Sequence, residues 1–396
     1  MAPAAQRVAV VVVTDRFERS RYRRAAALLL ALSASATATA AVLPEERADL
    51  LYHSYDGGGV EVSGPSLLVR KNVTDNLSAY GNYYVDTVSS ASIDVVTTAS
   101  PYADERVEKR AGVDYLHDNT TLSLSYTNSD ESDYLADTIS FDISQDMFGD
   151  LTTVSLGYSQ GNDKIGKSND PTFKANAHRQ NYRVGLSQVL TKNLLLALSL
   201  ETITDQGYLN NPYRSVRYLD SSSALGFSYE PEVYPETHTS DAVAIRARYY
   251  LPYRASIYGE YRRYDDTWGV GANNYEIGYV HPYGERWLFE VRLREYSQTA
   301  ADFYSDLFPR QQAQNFLARD KELSEFSSHS FGTTVTYDLK SHWGFADRST
   351  VNLAFDHIQF DFNNFRDLTK LTGTPGTEPL YRYSANVLQL YFSLWF

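Results

Sequence analysis

Eight ionisable side chains recur at alternate positions in four successive segments: Arg246 and Arg248, then Glu260 and Arg262, then Glu276, then Glu290, Arg292 and Arg294. The positions between them are mostly apolar: Val243, Ile245, Ala247 and Tyr249 in the first segment, Val291 and Leu293 in the last. Successive side chains on a strand point to opposite faces, so these segments read as strands with one charged and one apolar face. Such a wall supports electrostatic selection of solutes. The same charges paired with one another would instead solvate and stiffen a polar interior. A catalytic centre is not expected, and the chain is read as a non-enzyme. Asp356, His357 and Asp361 share one segment, but no Gly-x-Ser-x-Gly turn or His-Glu-x-x-His helix occurs. The 8 His are scattered and form no i, i+2 or i, i+4 pair, so neither a metal site nor a cofactor is expected. His53, near Asp49 and Asp56, is the histidine of most interest. The Asp130-Glu131-Ser132-Asp133 cluster reads as a solvated loop, with a surface cation as the alternative.

The segment from Gln298 to Ser328 is long for a compact connection, and such loops are often functional. Asp302-Phe303-Tyr304 and Leu307-Phe308 are apolar enough to need burial, and Pro309 with Arg310 to Arg319 suits a short helix with Pro in its first turn. Folded inward, this loop would constrict a pore; folded outward, it would cap the molecule or dock a partner. The loop from Asp205 to Ser240 has the same two options.

The elements that must position these residues are visible along the whole chain. Leu194, Leu196, Leu198 and Leu200 alternate with Leu195, Ala197, Ser199 and Glu201, and Ile139, Phe141 and Ile143 with Ser140, Asp142 and Ser144. Segments of about ten alternating residues separated by turns are the mark of a membrane barrel. Strands are expected near 48–56, 59–71, 77–89, 106–117, 120–127, 134–146, 150–160, 177–190, 193–204, 239–251, 254–265, 268–281, 285–297, 329–340, 349–362 and 382–396. Short turns, such as His117-Asp118-Asn119 and Trp343-Gly344-Phe345, alternate with mostly longer connections near 90–105, 127–133, 160–176, 205–240, 265–269, 298–328 and 363–380. The expected fold is all-β, a transmembrane antiparallel up-and-down barrel of about sixteen strands, with fourteen to eighteen possible. The first pair is the least regular: its alternation breaks at Gly64-Pro65, which suggests a bulge. The alternative for that N-terminal stretch is a plug inside the barrel.

The last strand ends the chain on a stripe of Leu388, Leu390, Phe392, Leu394 and Phe396, the form of a closing strand read by the barrel assembly machinery. Arg16 to Arg24, Ala25 to Leu32 and Ser33 to Ala41 have the order of a cleaved signal peptide, so residues 1–40 are set apart from a barrel over 41–396. The residues ahead of Arg16 fit no part of such a signal and suggest a misassigned start. The chain has 396 residues, 36 Lys and Arg, 49 Asp and Glu and no Cys. Disulfides and thiolate chemistry are therefore excluded, and the acidic balance argues against nucleic acid as a partner. The 32 Tyr and 18 Phe suit strands and membrane interfaces.

Ala48-Asp49-Leu50-Leu51-Tyr52-His53-Ser54-Tyr55-Asp56-Gly57-Gly58-Gly59, Val113-Asp114-Tyr115-Leu116-His117-Asp118, Leu209-Asn210-Asn211-Pro212-Tyr213-Arg214 and Thr299 to Asp306 carry a resemblance. Over nearly all of 44–396 the chain resembles a bacterial family of predicted outer-membrane proteins, domain of unknown function 3570. The resemblance implies the barrel and the bacterial outer membrane, with its lipid and lipopolysaccharide as surroundings; it implies no activity. It also implies an envelope redox setting, with a thioredoxin-like protein, a small lipoprotein and a flavin-attaching enzyme nearby. Two functions are thus expected: a porin-like channel or export conduit, or a scaffold barrel around a periplasmic or lipoprotein partner.

Overall fold

The computed structural model describes residues 42–90, 102–168, 170–339 and 346–396. The expected signal segment, most of the 90–105 connection, His342 and the Trp343-Gly344-Phe345 turn lie outside the described residues. Sixteen antiparallel strands close into one barrel. In chain order they are β1 (Arg47–Gly57), β2 (Val60–Thr74), β3 (Leu77–Ser90), β4 (Tyr102–His117), β5 (Thr120–Glu131), β6 (Tyr134–Met147), β7 (Thr152–Ile165), β8 (Ala175–Thr191) and β9 (Leu194–Gly207). They continue with β12 (Thr237–Tyr250), β13 (Ser256–Asp266), β14 (Gly271–Tyr283), β15 (Trp287–Gln298), β16 (Phe326–Asp338), β17 (Arg348–Arg366) and β18 (Leu380–Trp395). The numbers between belong to a hairpin outside the barrel, β10 (Ser215–Leu219) with β11 (Phe227–Pro231).

The alternation read from the sequence is the alternation of faces. Leu198, Leu200, Val243, Ile245, Ile277, Leu293 and Leu390 are exposed on the outside of the barrel. The residues between them turn inward. Each barrel strand pairs with its neighbours in chain order, and β1 pairs with β18 from Arg47↔Trp395 to Gly57↔Ala385. This first stave overturns the plug alternative: residues 47–57 have hydrogen-bonding partners on both sides, β18 and β2, and form part of the wall.

The expected bulge at Gly64-Pro65 takes a milder form. Pairing of β2 with β3 lapses between Ser63↔Thr87 and Ser66↔Tyr84, where Pro has no N–H to give, and resumes without a slip. A Cβ at Gly64 would overlap the Val85 carbonyl, so the two backbones press together there.

Strand connections sort by end. At the end bearing both termini, β2–β3, β4–β5, β6–β7 and β8–β9 are joined by tight turns. The other end holds the connections 208–236, 299–325 and 367–379. Three connections at that end are nevertheless short. Gly58 and Gly59 both have positive φ, 62° and 78°, and make the two-residue turn between β1 and β2. The 127–133 and 265–269 connections shrink because β5 and β6 extend toward Ser132-Asp133, and because Asp266 Oδ1 accepts from the Trp268 and Val270 N–H groups to form a compact turn.

Candidate functional site

The inner wall carries the charges expected of it. Arg246, Arg248, Glu260, Arg262, Glu276, Glu290, Arg292 and Arg294 all lie on the inward face of β12 to β15, opposite the exposed Val243, Ile257, Ile277 and Val291. They are engaged with one another and with neighbouring strands. Arg246 lies 3.3 Å from Glu260 and 3.5 Å from Glu276, and Arg262 lies 3.1 Å from Glu201 of β9. Arg292 pairs with Asp356 of β17, Arg294 donates to Asn274, and the Tyr258 hydroxyl donates to Glu290 at 2.7 Å. Arg248 stacks over the Tyr258 ring at 5.1 Å and donates to Ser256. A side chain at Gly332 would collide with both members of the Arg292–Asp356 pair, so this glycine opens the space the pair occupies.

The long connections form the second part of the site. The 299–325 loop turns back against the inward side chains of the wall. Tyr304 packs on Phe326, Phe362 and Phe365, an aromatic group completed by Tyr296, Phe360, Tyr381 and Tyr383. Phe303 joins Tyr234, Val270, Ala301 and Ala318, with Trp268 and Leu323 against them. Gln298 holds the end of the loop by donating to the Glu322 and Ser324 carbonyls at 2.8 Å. Phe308 packs with Val216 and Leu317 under the β10–β11 hairpin. Asp302 donates its backbone N–H to the Trp268 carbonyl at 2.8 Å, and Arg310 donates to the nearby Gln311 and Gln312 carbonyls.

One carboxylate joins the loops. Asp306 accepts from Arg217 of β10, from Arg319 at 2.9 Å and from the Arg366 N–H at 3.2 Å. Arg217, fully buried, also reaches Glu378 of the 367–379 connection at 2.7 Å. Four residues before Arg217, the Tyr213 hydroxyl donates to Asp133 at the β5–β6 turn and accepts from the Ser168 N–H at 2.6 Å. Four residues span at most about 14 Å. Connections from well-separated arcs of a sixteen-strand rim therefore meet along one short segment, and the loops form a cap across the mouth.

Within the cap, Glu232 is buried. It accepts from the Tyr234 hydroxyl and the Arg319 N–H, both at 2.8 Å, beside the Arg214–Asp320 pair. Burial, reinforced by the Asp320 charge, pushes the Glu232 carboxyl up to about 7, with Arg214 opposing.

Two expectations for the loops are corrected. Pro309 does not start a helix: the backbone from Arg310 to Arg319 is spent on other partners, Gln312 N–H on Glu230, Leu317 on the Val233 carbonyl and Ala318 on the Phe303 carbonyl. The one helical turn of that loop is Lys321–Leu323, capped by Asp320. The β10–β11 hairpin within 205–240 was not foreseen from the sequence.

His53 meets neither Asp49 nor Asp56. Its Nε2 lies 2.7 Å from Asp86 and 2.9 Å from the Tyr84 hydroxyl, and Arg106 bonds the other Asp86 oxygen. A one-residue alternation was the only signal for this cluster, since its members come from β1, β3 and β4. Asp356 faces inward while His357, bonded to Asn386, and Asp361, paired with Arg382, face outward, so the three do not converge. Asp133 of the acidic cluster is taken up by Tyr213 and Ser168. Among the described residues, no group of three or more His, Cys, Asp or Glu is arranged to hold a metal ion. Leu388, Leu390, Phe392 and Leu394 face outward on β18 between β1 and β17, and Lys71 sits 5.0 Å over the Phe396 ring.

The model of the family described as "Protein of unknown function (DUF3570)" matches residues 21–352. The chain belongs to this family. Curated proteins offer this DUF3570 member no match. Solved structures do: a bacterial polysaccharide outer membrane secretin at 9% identity, TM-score 0.46, covering 88% of this chain and 98% of that one. OccK2 (OpdF) of Pseudomonas aeruginosa, in complex with glucuronate, is similar at 10% identity and TM-score 0.42, covering 89% and 99%. A Pseudomonas aeruginosa FadL homologue is similar at 9% identity and TM-score 0.40, covering 89% and 90%. The DUF3570 member is a closed barrel of sixteen antiparallel strands.

Proposed function

We propose that this DUF3570 member is an integral protein of the bacterial outer membrane that conducts solutes through a polar lumen beneath a cap of its own loops. The observation that carries this reading is the division of the wall: an apolar band on the outside, with Val243, Ile257, Ile277 and Leu293 exposed, and charged and hydroxylated side chains inside. An unpaired Arg or Lys on the lipid side would cost on the order of 2–4 kcal/mol at the midplane, so this division fits a membrane-spanning wall around a wet interior. The capped end with long connections then faces the exterior, and the tight turns face the periplasm. In this reading the outward stripe Leu388 to Leu394, with Phe396, is what the assembly machinery engages, and lipid and lipopolysaccharide surround the barrel. The ladder from Arg246 to Arg294 stiffens the wall more than it filters ions, because its members are engaged by one another. The 299–325 loop, through Phe303, Tyr304 and Phe308, narrows the mouth.

Planar-bilayer recording tests this. Discrete conductance steps are expected from the purified barrel, larger or more frequent when residues 299–325 are replaced by a short turn. A folded barrel silent in both forms overturns the conduit.

The cap favours a second reading, a scaffold barrel closed on the outside that receives a periplasmic protein or lipoprotein from below. Co-extraction of a stable complex with the lumen occupied would favour it, and redox chemistry would then reside in the partner, since the chain has no Cys.

A further inference from the structure

We infer that the passage is off-centre, a hydroxyl-lined lane along the inner face of β6 to β9, and that it takes neutral, hydroxyl-rich solutes of the sugar class. The solute part rests on the channel reading above; the lane itself does not.

The register sets out the lane. One row across the wall reads Ser144↔Ser155↔Gly185↔Ser199↔Ala244, from β6 to β12. Two residues further along β6 the next row places Asp142, Gly157 and Arg183 in line, and beyond it come Ser140 and Ser159. No inward residue of the first row is larger than serine. Leu156, Leu198 and Leu200 occupy the outward positions, so Ser155 and Ser199 point inward, and both are solvent-exposed. The facing arc is different. Tyr258 is 3% exposed, Arg292 7%, Ala354 5% and Asn352 2%, because large side chains there pack on one another. Solvent therefore meets the inner wall along β6 to β9, where small residues leave room.

The chemistry of the lane follows. Serine hydroxyls both donate and accept, and can exchange hydrogen bonds with a hydrated polyol as it moves. The charged row runs Asp142, Gly157, Arg183 and Glu201: Glu201 is held by Arg262 of β13 at 3.1 Å, and Asp142 and Arg183 lie 2.8 Å apart, partly exposed at 38% and 23%. Such a pair offers a donor fork beside an acceptor and no net charge, so a solute of either sign gains little while hydroxyl groups find both partners.

The absence of Cys makes the test direct. Ser155→Cys and Ser199→Cys are compared with Ala354→Cys and Ser328→Cys, all inward-facing, in folded barrels treated with a membrane-impermeant maleimide and read by mass. The lane thiols are expected to react about tenfold faster or more, since thiol modification follows access. Equal or reversed rates overturn the lane. Liposome swelling then compares a neutral disaccharide with arginine and glutamate salts, in the wild type and in Asp306→Ala. Faster entry of the sugar, reduced several-fold by Ser199→Trp, supports the proposal. Entry of the charged solutes at equal or greater rates overturns the solute class. Lane thiols that react in a barrel admitting no solute, in either form, overturn the channel reading and with it the solute class, while leaving the lane geometry standing.

Discussion

Glu232 concentrates the residue-scale consequences. Its carboxyl titrates near 7 in the folded cap, against about 4.5 in an unfolded loop, so the folded cap holds a proton that the open form would release. Stability from this group is full below about pH 4.5 and lost as pH rises through about 7; the change is on the order of 3 kcal/mol. Limited proteolysis of the 299–325 loop is therefore expected to be slower at pH 5 than at pH 8, and Glu232→Gln should remove most of that difference. A wild-type cap equally resistant at both values would refute it. Sequence reasoning reaches this scale unevenly. The inward orientation of Arg246, Glu260 and Arg292 follows from alternation, because parity along a strand decides the face. Their partners do not. Asp356 meets Arg292 across β16, and Glu201 meets Arg262 across β12, so each pair depends on the register of an intervening strand.

At the scale of elements, all sixteen staves were legible because each carries its own period-two signal, even where the N-terminal pair seemed irregular. The hairpin β10–β11 and the extended run before Arg319 were not. The two hairpin strands pair with each other but are only five residues each, too short for a periodic signal, and the run before Arg319 takes its partners from another loop, as Leu317 does from Val233. These loop elements depend on Asp306, which joins three connections. Asp306→Ala leaves the buried Arg217 without one of its two carboxylates, a change that typically costs about 3–5 kcal/mol at buried pairs. The cap should then open to protease well before the barrel unfolds. Hydrogen exchange would show lost protection confined to the 208–236, 299–325 and 367–379 connections; unchanged protection there would count against a shared latch.

The whole molecule is a wall with an apolar band on its outer face and polar side chains on its inner one. Leu293, exposed at the middle of the outward face of β15, reports on the outer one. Leu293→Arg is expected to lower unfolding stability in lipid vesicles by about 2–4 kcal/mol, measured by denaturant titration. A change near zero would mean that this face meets water.

The pairing of Arg47 with Trp395 sets the order of events during biogenesis. The first stave formed by the emerging chain waits for the last one, so every intermediate with fewer strands presents two raw edges. Loop-closure entropy is largest for this final contact, which makes seam formation the slow, committing step. Until then β1 and β18 are open templates for other chains. A chain lacking its last ten residues would keep fifteen good strands and still be an aggregation hazard, because β1 and β17 would each be left with an open edge.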